Sequence, residues 1–154
     1  MSAATPPPDD RRPGGPESPI PARPILTVMA VVLTAALLVF VYGFESLIFD
    51  RDVITQADAG TLTGPLMFVA VLAVVARAVG APRAQSIRTR AIGAGVAAVL
   101  IGPAVGAIVY SLVRTQIAVI PVFFANYVVS PFVLSSGVVA GLVVLVAGHL
   151  DARR

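Results

Sequence analysis

The chain has 154 residues, 57% of them hydrophobic and 12% charged, with a mean hydropathy of +0.92 and a formal net charge of +3. A water-soluble domain carries roughly 25% charged residues, so this composition excludes a solvated surface and implies lipid as the surrounding medium. Cysteine is absent, which rules out disulfides, thiolate metal sites and a thiol nucleophile.

Residues 1–24 hold eight of the thirteen prolines, together with Asp9, Asp10, Arg11, Arg12, Glu17 and Arg23. Such a segment cannot bury enough apolar surface to offset its ordering entropy, and it reads as a disordered, polyproline-like tail. Pro13, Pro16 and Pro19 stand at the spacing of ligands for proline-recognising domains, a spacing that chance also produces in any proline-rich tract. The stretch from Ile25 to Phe44 then carries no charge over twenty residues. At ~1.5 Å per residue it covers a ~30 Å hydrocarbon core. It is too long for the apolar region of a cleaved signal peptide, and no A-x-A-like site precedes Glu45. We expect a retained span over about 25–45.

An acidic segment with Asp50, Asp52 and Asp58 follows. It lacks the spacing and glycine of an EF-hand, so a solvated loop is the simpler reading. A short second span, about 63–79, opens at Thr63-Gly64-Pro65 and closes at Gly80-Ala81-Pro82. Thr63 or Gly64 is expected to cap its start, and Gly80 to supply a left-handed stop. Arg77, one turn from the end, can extend its guanidinium to the headgroups. Arg83, Arg88 and Arg90 form a basic connection, and residues 91–113 make an uncharged third span ended by Arg114.

From Thr115 to Gly148 the chain is uncharged over thirty-four residues, longer than one span and too short for two with a turn. Pro121, Pro131, Asn126 and Tyr127 interrupt it. The expected division is a partly embedded connection over 115–128 and a final span over about 129–149. The transmembrane domain is then 25–150, and residues 151–154 form a short cytoplasmic end. The competing division makes 115–128 part of a fifth span; with four spans it is a loop or a re-entrant segment.

Orientation follows from arginine placement, because cytoplasmic flanks retain positive charge. Four spans put Arg11, Arg12, Arg23, Arg77, Arg83, Arg88, Arg90, Arg153 and Arg154 on one side, and only Arg51 and Arg114 on the other. Both termini are therefore expected in the cytoplasm. All ten aromatic residues fall in the outer half, around the first exit, the second entry and the last outer connection. They form either an interfacial belt or the lining of an outward apolar pocket.

Ala94, Ala98, Gly102 and Gly106 recur every four residues on the third span and share one helix face. Gly137 and Gly141 repeat the pattern on the last span. Such grooves serve either packing between these two spans or dimerisation. Glu45 and Arg114, both at outer helix ends, are candidates for an ion pair across the bundle. No ionisable residue falls mid-membrane, which argues against transport coupled to a titrating group. Ser135 and Ser136 lie on the same helix as the only histidine, His149, and thirteen positions separate Ser136 from it. That is roughly 20 Å, far outside proton-transfer range. One histidine and no cysteine exclude a metalloprotease. No phosphate loop, dinucleotide fingerprint or basic–aromatic patch is present, so neither a cofactor nor nucleic acid is expected.

The stretch Tyr42-Gly43-Phe44-Glu45-Ser46-Leu47, through Asp58-Ala59-Gly60 to Gly64-Pro65, resembles small uncharacterised four-helix membrane proteins of actinobacteria. The resemblance implies a fold and a compartment and supplies no catalytic residue. The use of arginine alone among the basic residues fits GC-rich bacterial coding. The expected architecture is all-α: a polytopic transmembrane bundle of four spans in the bacterial plasma membrane. The expected role is non-enzymatic, that of an accessory or structural subunit packing in the bilayer with itself or within a larger complex. The alternative is a small transporter, or a protein that binds lipid or another hydrophobic ligand through its outer aromatic region.

Overall fold

The computed structural model describes residues 22–50, 54, 59, 61–82 and 85–153. The proline-rich tail up to residue 21, Arg51, Asp52, Asp58, Arg83 and Arg154 lie outside the described residues, and so does the disorder expected of the tail. Five helices follow in order: α1 (Ala22–Phe49), α2 (Thr63–Gly80), α3 (Ile87–Arg114), α4 (Val119–Val128) and α5 (Pro131–Ala152). No strand occurs among the described residues. Four of the helices are long and apolar enough to cross a membrane, and α4 is not.

The ends of these helices show where local chemistry differs from expectation. α1 begins at Ala22, three residues earlier than expected, with Pro24 in its first turn. A proline costs nothing there, because the first-turn N–H has no partner in the helix anyway. α1 also runs on to Phe49, past the charged Glu45. Neither Thr63 nor Gly64 caps α2. Leu62 takes that position without a side-chain bond, and the Thr63 hydroxyl donates back to the Ala59 carbonyl. Gly80 does not supply a left-handed stop either. It stays helical, and Ala81 turns the chain out in an extended conformation (φ −65°, ψ 148°). Such a conformation is imposed on the residue before a proline, here Pro82. The closing carbonyls of α2 are met from another helix: Arg90 of α3 donates to Ala78 (2.7 Å) and Val79 (3.3 Å). A cation is well placed there, at the negative end of the α2 dipole.

α3 starts four residues earlier than expected, inside the basic connection. Ser86 accepts from the Thr89 N–H at 3.1 Å, a standard amino-terminal cap. α3 continues through Pro103 and ends at Thr115, which takes the left-handed conformation (φ 52°) that closes the last turn.

Close contacts give the helix directions. The built Cβ of Gly80 meets Thr27; that of Gly102 meets Val71; those of Gly148 and Gly141 meet Ile87 and Ala91. Each of these pairs is therefore antiparallel, and the bundle runs up, down, up, down. Along α3 the partner numbers fall steadily, from Gly148 beside Ile87 to Phe123 beside Tyr110. So α4 and α5 together follow α3 as one interrupted helix. Pro131, the first residue of α5, has no N–H, and Ser130 before it is extended (ψ 139°). The break lies where the sequence placed its division. The 115–128 connection, however, is mostly helical.

Much of what is buried is small. Ala30, Ala91, Ala94, Ala98, Ala107, Ala140 and Ala147 form much of the core, with Val71, Val75 and Val144. Val28, Met29, Phe40, Leu47, Ile92, Ile108 and Leu112 point outward. A water-soluble bundle has the reverse distribution. In lipid no hydrophobic force drives helices together, so small residues that permit close approach take the interfaces and large apolar ones face the acyl chains.

Candidate functional site

α5 is the helix that touches all four others, and its closest approach is to α3. A Cβ on Gly95 would lie 2.9 Å from the Gly137 carbonyl oxygen, and one on Gly137 would lie 3.0 Å from the Gly95 carbonyl oxygen. One on Gly141 would lie 3.2 Å from the Ala91 carbonyl oxygen. At this crossing the two backbones touch directly, and the Val99 side chain packs against Gly137. The crossing also leaves a groove of about 780 Å³ on the outer surface of the bundle. Gly95, Gly137 and Gly141 form its floor. Ile92, Val96 and Leu100 on α3 and Val138 and Leu142 on α5 form its walls, and Arg88 and His149 mark one end.

The residues singled out in the sequence divide between two neighbours. Gly137 and Gly141 meet α3 through Ala91 and Gly95. Gly102 and Gly106 instead face α2, where their built Cβ atoms meet Val71 (3.5 Å) and the Met67 sulfur (2.5 Å). Ala94 and Ala98 are buried among Val71, Val75, Val79 and the valines of α5. The sequence reading missed Gly95. It lies one position from Ala94, hence about 100° around the helix, on the row shared with Ala91. α3 carries small residues on two adjacent rows, and periodicity alone cannot say which neighbour each row meets.

At the opposite end of the bundle the aromatic residues pack on one another. Phe123 is 1% exposed. Its ring stacks on Tyr127 at 4.3 Å and tilts against Tyr110 at 4.9 Å, which docks α4 onto the end of α3. Tyr42 meets Phe132 edge-on at 5.8 Å, joining α1 to α5. Phe40 and Phe44 face outward. Of the two expected ion-pair members, the Glu45 carboxylate accepts from the Ser135 hydroxyl at 3.2 Å. The Arg114 guanidinium lies 6.0 Å above the Tyr110 ring, within reach of a cation–π interaction. Ser136 donates to the Val133 carbonyl and His149 to the Leu145 carbonyl, so each is held on its own turn of α5. Among the described residues no three His, Asp or Glu side chains converge.

The arginines sort by end. Among the described side chains Arg77, Arg88, Arg90 and Arg153 lie at the end where α2 finishes, α3 begins and α5 finishes, and Arg114 lies at the other. The sequence pattern of DUF6121, a family of unknown function, matches residues 22–154. The chain belongs to that family. The match begins at the first residue of α1 and takes in the whole helical bundle. No curated protein and no solved structure matches the chain. DUF6121 therefore fixes kinship without naming an activity, and the geometry carries the functional argument.

Proposed function

We propose that this DUF6121 protein is a non-enzymatic accessory or structural subunit of the bacterial plasma membrane, with both termini cytoplasmic, and that it acts by packing helices within the bilayer. The α3–α5 groove carries this reading. It lies on the outer surface, its glycine floor would let a neighbouring helix approach closely, and its walls are apolar. From Arg88 to Leu100 it extends twelve residues of α3, or ~18 Å, more than half of a hydrocarbon core. The arginine-bearing end supports the orientation. Composition and the resemblance at the first two spans support an actinobacterial source.

The alternative, a transporter or hydrophobic-ligand protein built on the outer aromatics, has less support, because Tyr110, Phe123 and Tyr127 fill that region with their own packing. Crosslinking separates the readings. The chain has no native cysteine, so single cysteines can be placed on the groove walls at Val96 and Val138, 54% and 62% exposed. Val32 on α1, 62% exposed, is the control. Oxidation in membranes should give a dimer, or an adduct with a defined second membrane protein, from the two groove positions and not from Val32. Monomer alone at all three positions, or equal products from all three, would overturn the proposal.

A further inference from the structure

We infer that the cleft between α2 and α3 binds an anionic phospholipid, with its phosphate at the arginine-bearing end and an acyl chain along the apolar wall. The inference rests on the chain lying in a bilayer and is independent of the helix packing proposed above.

The cleft has a volume of about 340 Å³ and is chemically two-ended. Arg77, Thr89 and Arg90 line its mouth, and Val74, Ala97 and Ile101 line its depth. No carboxylate is among its lining residues. Arg90 is fixed in place because its terminal nitrogen is bonded to the last carbonyls of α2, while its Nε is buried without a partner. Its positive charge is thus positioned by neutral groups and not cancelled by an acid. Arg77 is exposed, and among the described residues no carboxylate pairs with it. Thr89 lies in the first turn of α3, so the positive pole of that helix faces the same mouth and offsets the negative pole of α2 there.

Three properties select the ligand. Two guanidiniums around one cleft call for an anion, and phosphate oxygens match the donor geometry of arginine. The apolar depth gives a free phosphate nothing to bind, whereas an acyl chain buries surface there. The distance from Arg90 to Ile101 is eleven residues, ~16 Å, close to half of a ~30 Å hydrocarbon core. The cleft therefore has the depth of one leaflet. Basic pockets between transmembrane helices are a recurrent form of lipid-headgroup recognition.

The test uses the full-length protein in a neutral detergent, exchanged against equal amounts of phosphatidylglycerol and phosphatidylcholine, with retained lipid read by native mass spectrometry. Phosphatidylglycerol should be retained in preference. Arg77→Gln should weaken its retention about fivefold, the factor associated with one basic residue at an anionic surface. Arg88→Gln, at the same end but lining the other groove, should leave retention unchanged. Arg90→Gln also removes the cap of α2, so Arg77→Gln carries the test. Equal retention of the two lipids, an unaffected Arg77→Gln, or an equal loss in Arg88→Gln would each overturn the site. A parallel series with inorganic phosphate distinguishes the sources. Displacement of phosphatidylglycerol by millimolar phosphate would show an anion site that does not read the lipid, and would overturn the assignment to a phospholipid.

Discussion

Gly95 and Gly137 set the distance between α3 and α5, and each would place a Cβ against the carbonyl oxygen of the other. A backbone atom cannot rotate out of the way, so the helices themselves would have to separate, and at Gly137 the Val99 side chain would have to move as well. We expect Gly95→Ala and Gly137→Ala to destabilise the bundle by about 1–3 kcal/mol, the range for overpacking. Gly93, two positions from Gly95 on the same helix, has nothing within 4 Å of its built Cβ, and neither has Gly43 on α1. Alanine at either position only improves helix propensity, and should leave stability unchanged or raise it by up to about 1 kcal/mol. Denaturant titration in detergent micelles measures all four. Equal losses at Gly93 and Gly95 would mean that helix flexibility, and not close approach, explains these glycines.

At the scale of the element, α4 is the least self-sufficient part of the chain. Ten residues form a helix ~15 Å long, marginal alone, and Phe123 holds it against α3. Phe123→Ala removes a fully buried ring, a change that costs about 3–5 kcal/mol in well-packed cores. The consequence should be local: amide exchange should accelerate across 119–128, while α5 beyond the Pro131 break keeps its protection. Joint loss of protection in α4 and α5 would show that they unfold as one unit. The same elements show what the sequence could and could not reveal. Spans 63–79 and 91–113 were legible because charges, glycines and prolines bracket them, and α2 and α3 lie within a few residues of those bounds. α4 was not legible as a helix, since an uncharged run such as Val119–Val128 looks the same whether it coils or winds. The stop of α2 was illegible for a different reason, because its carbonyls are satisfied by Arg90, eleven and twelve positions away. In the groove, the sequence marked Gly137 and Gly141 by their spacing. Gly95 became visible only once α5 was in place.

For the molecule as a whole, the number of crossings decides where the carboxyl end lies. The thirty-four uncharged residues from Thr115 to Gly148 left four and five spans both open. Helix length separates them: α4 reaches ~15 Å, about half of a hydrocarbon core, while α5, at twenty-two residues, reaches ~33 Å alone. Phe123 and Tyr127, which pack α4 back along α3, leave the chain entering α5 from the end of the bundle that bears Arg114. α5 then returns to the end that bears Arg77, Arg88 and Arg90, and Arg153 joins them there. A fifth crossing would carry Arg153 to the opposite side, against the charge bias. Topology reporters fused after Arg88 and after Arg154 should therefore both report cytoplasm, and one fused at Asp58 the opposite compartment. A reporter at Arg154 that disagreed with the one at Arg88 would mean that α4 crosses with a stretch of unwound chain. The antiparallel register of α5 on α3, and the groove between them, would fall with it.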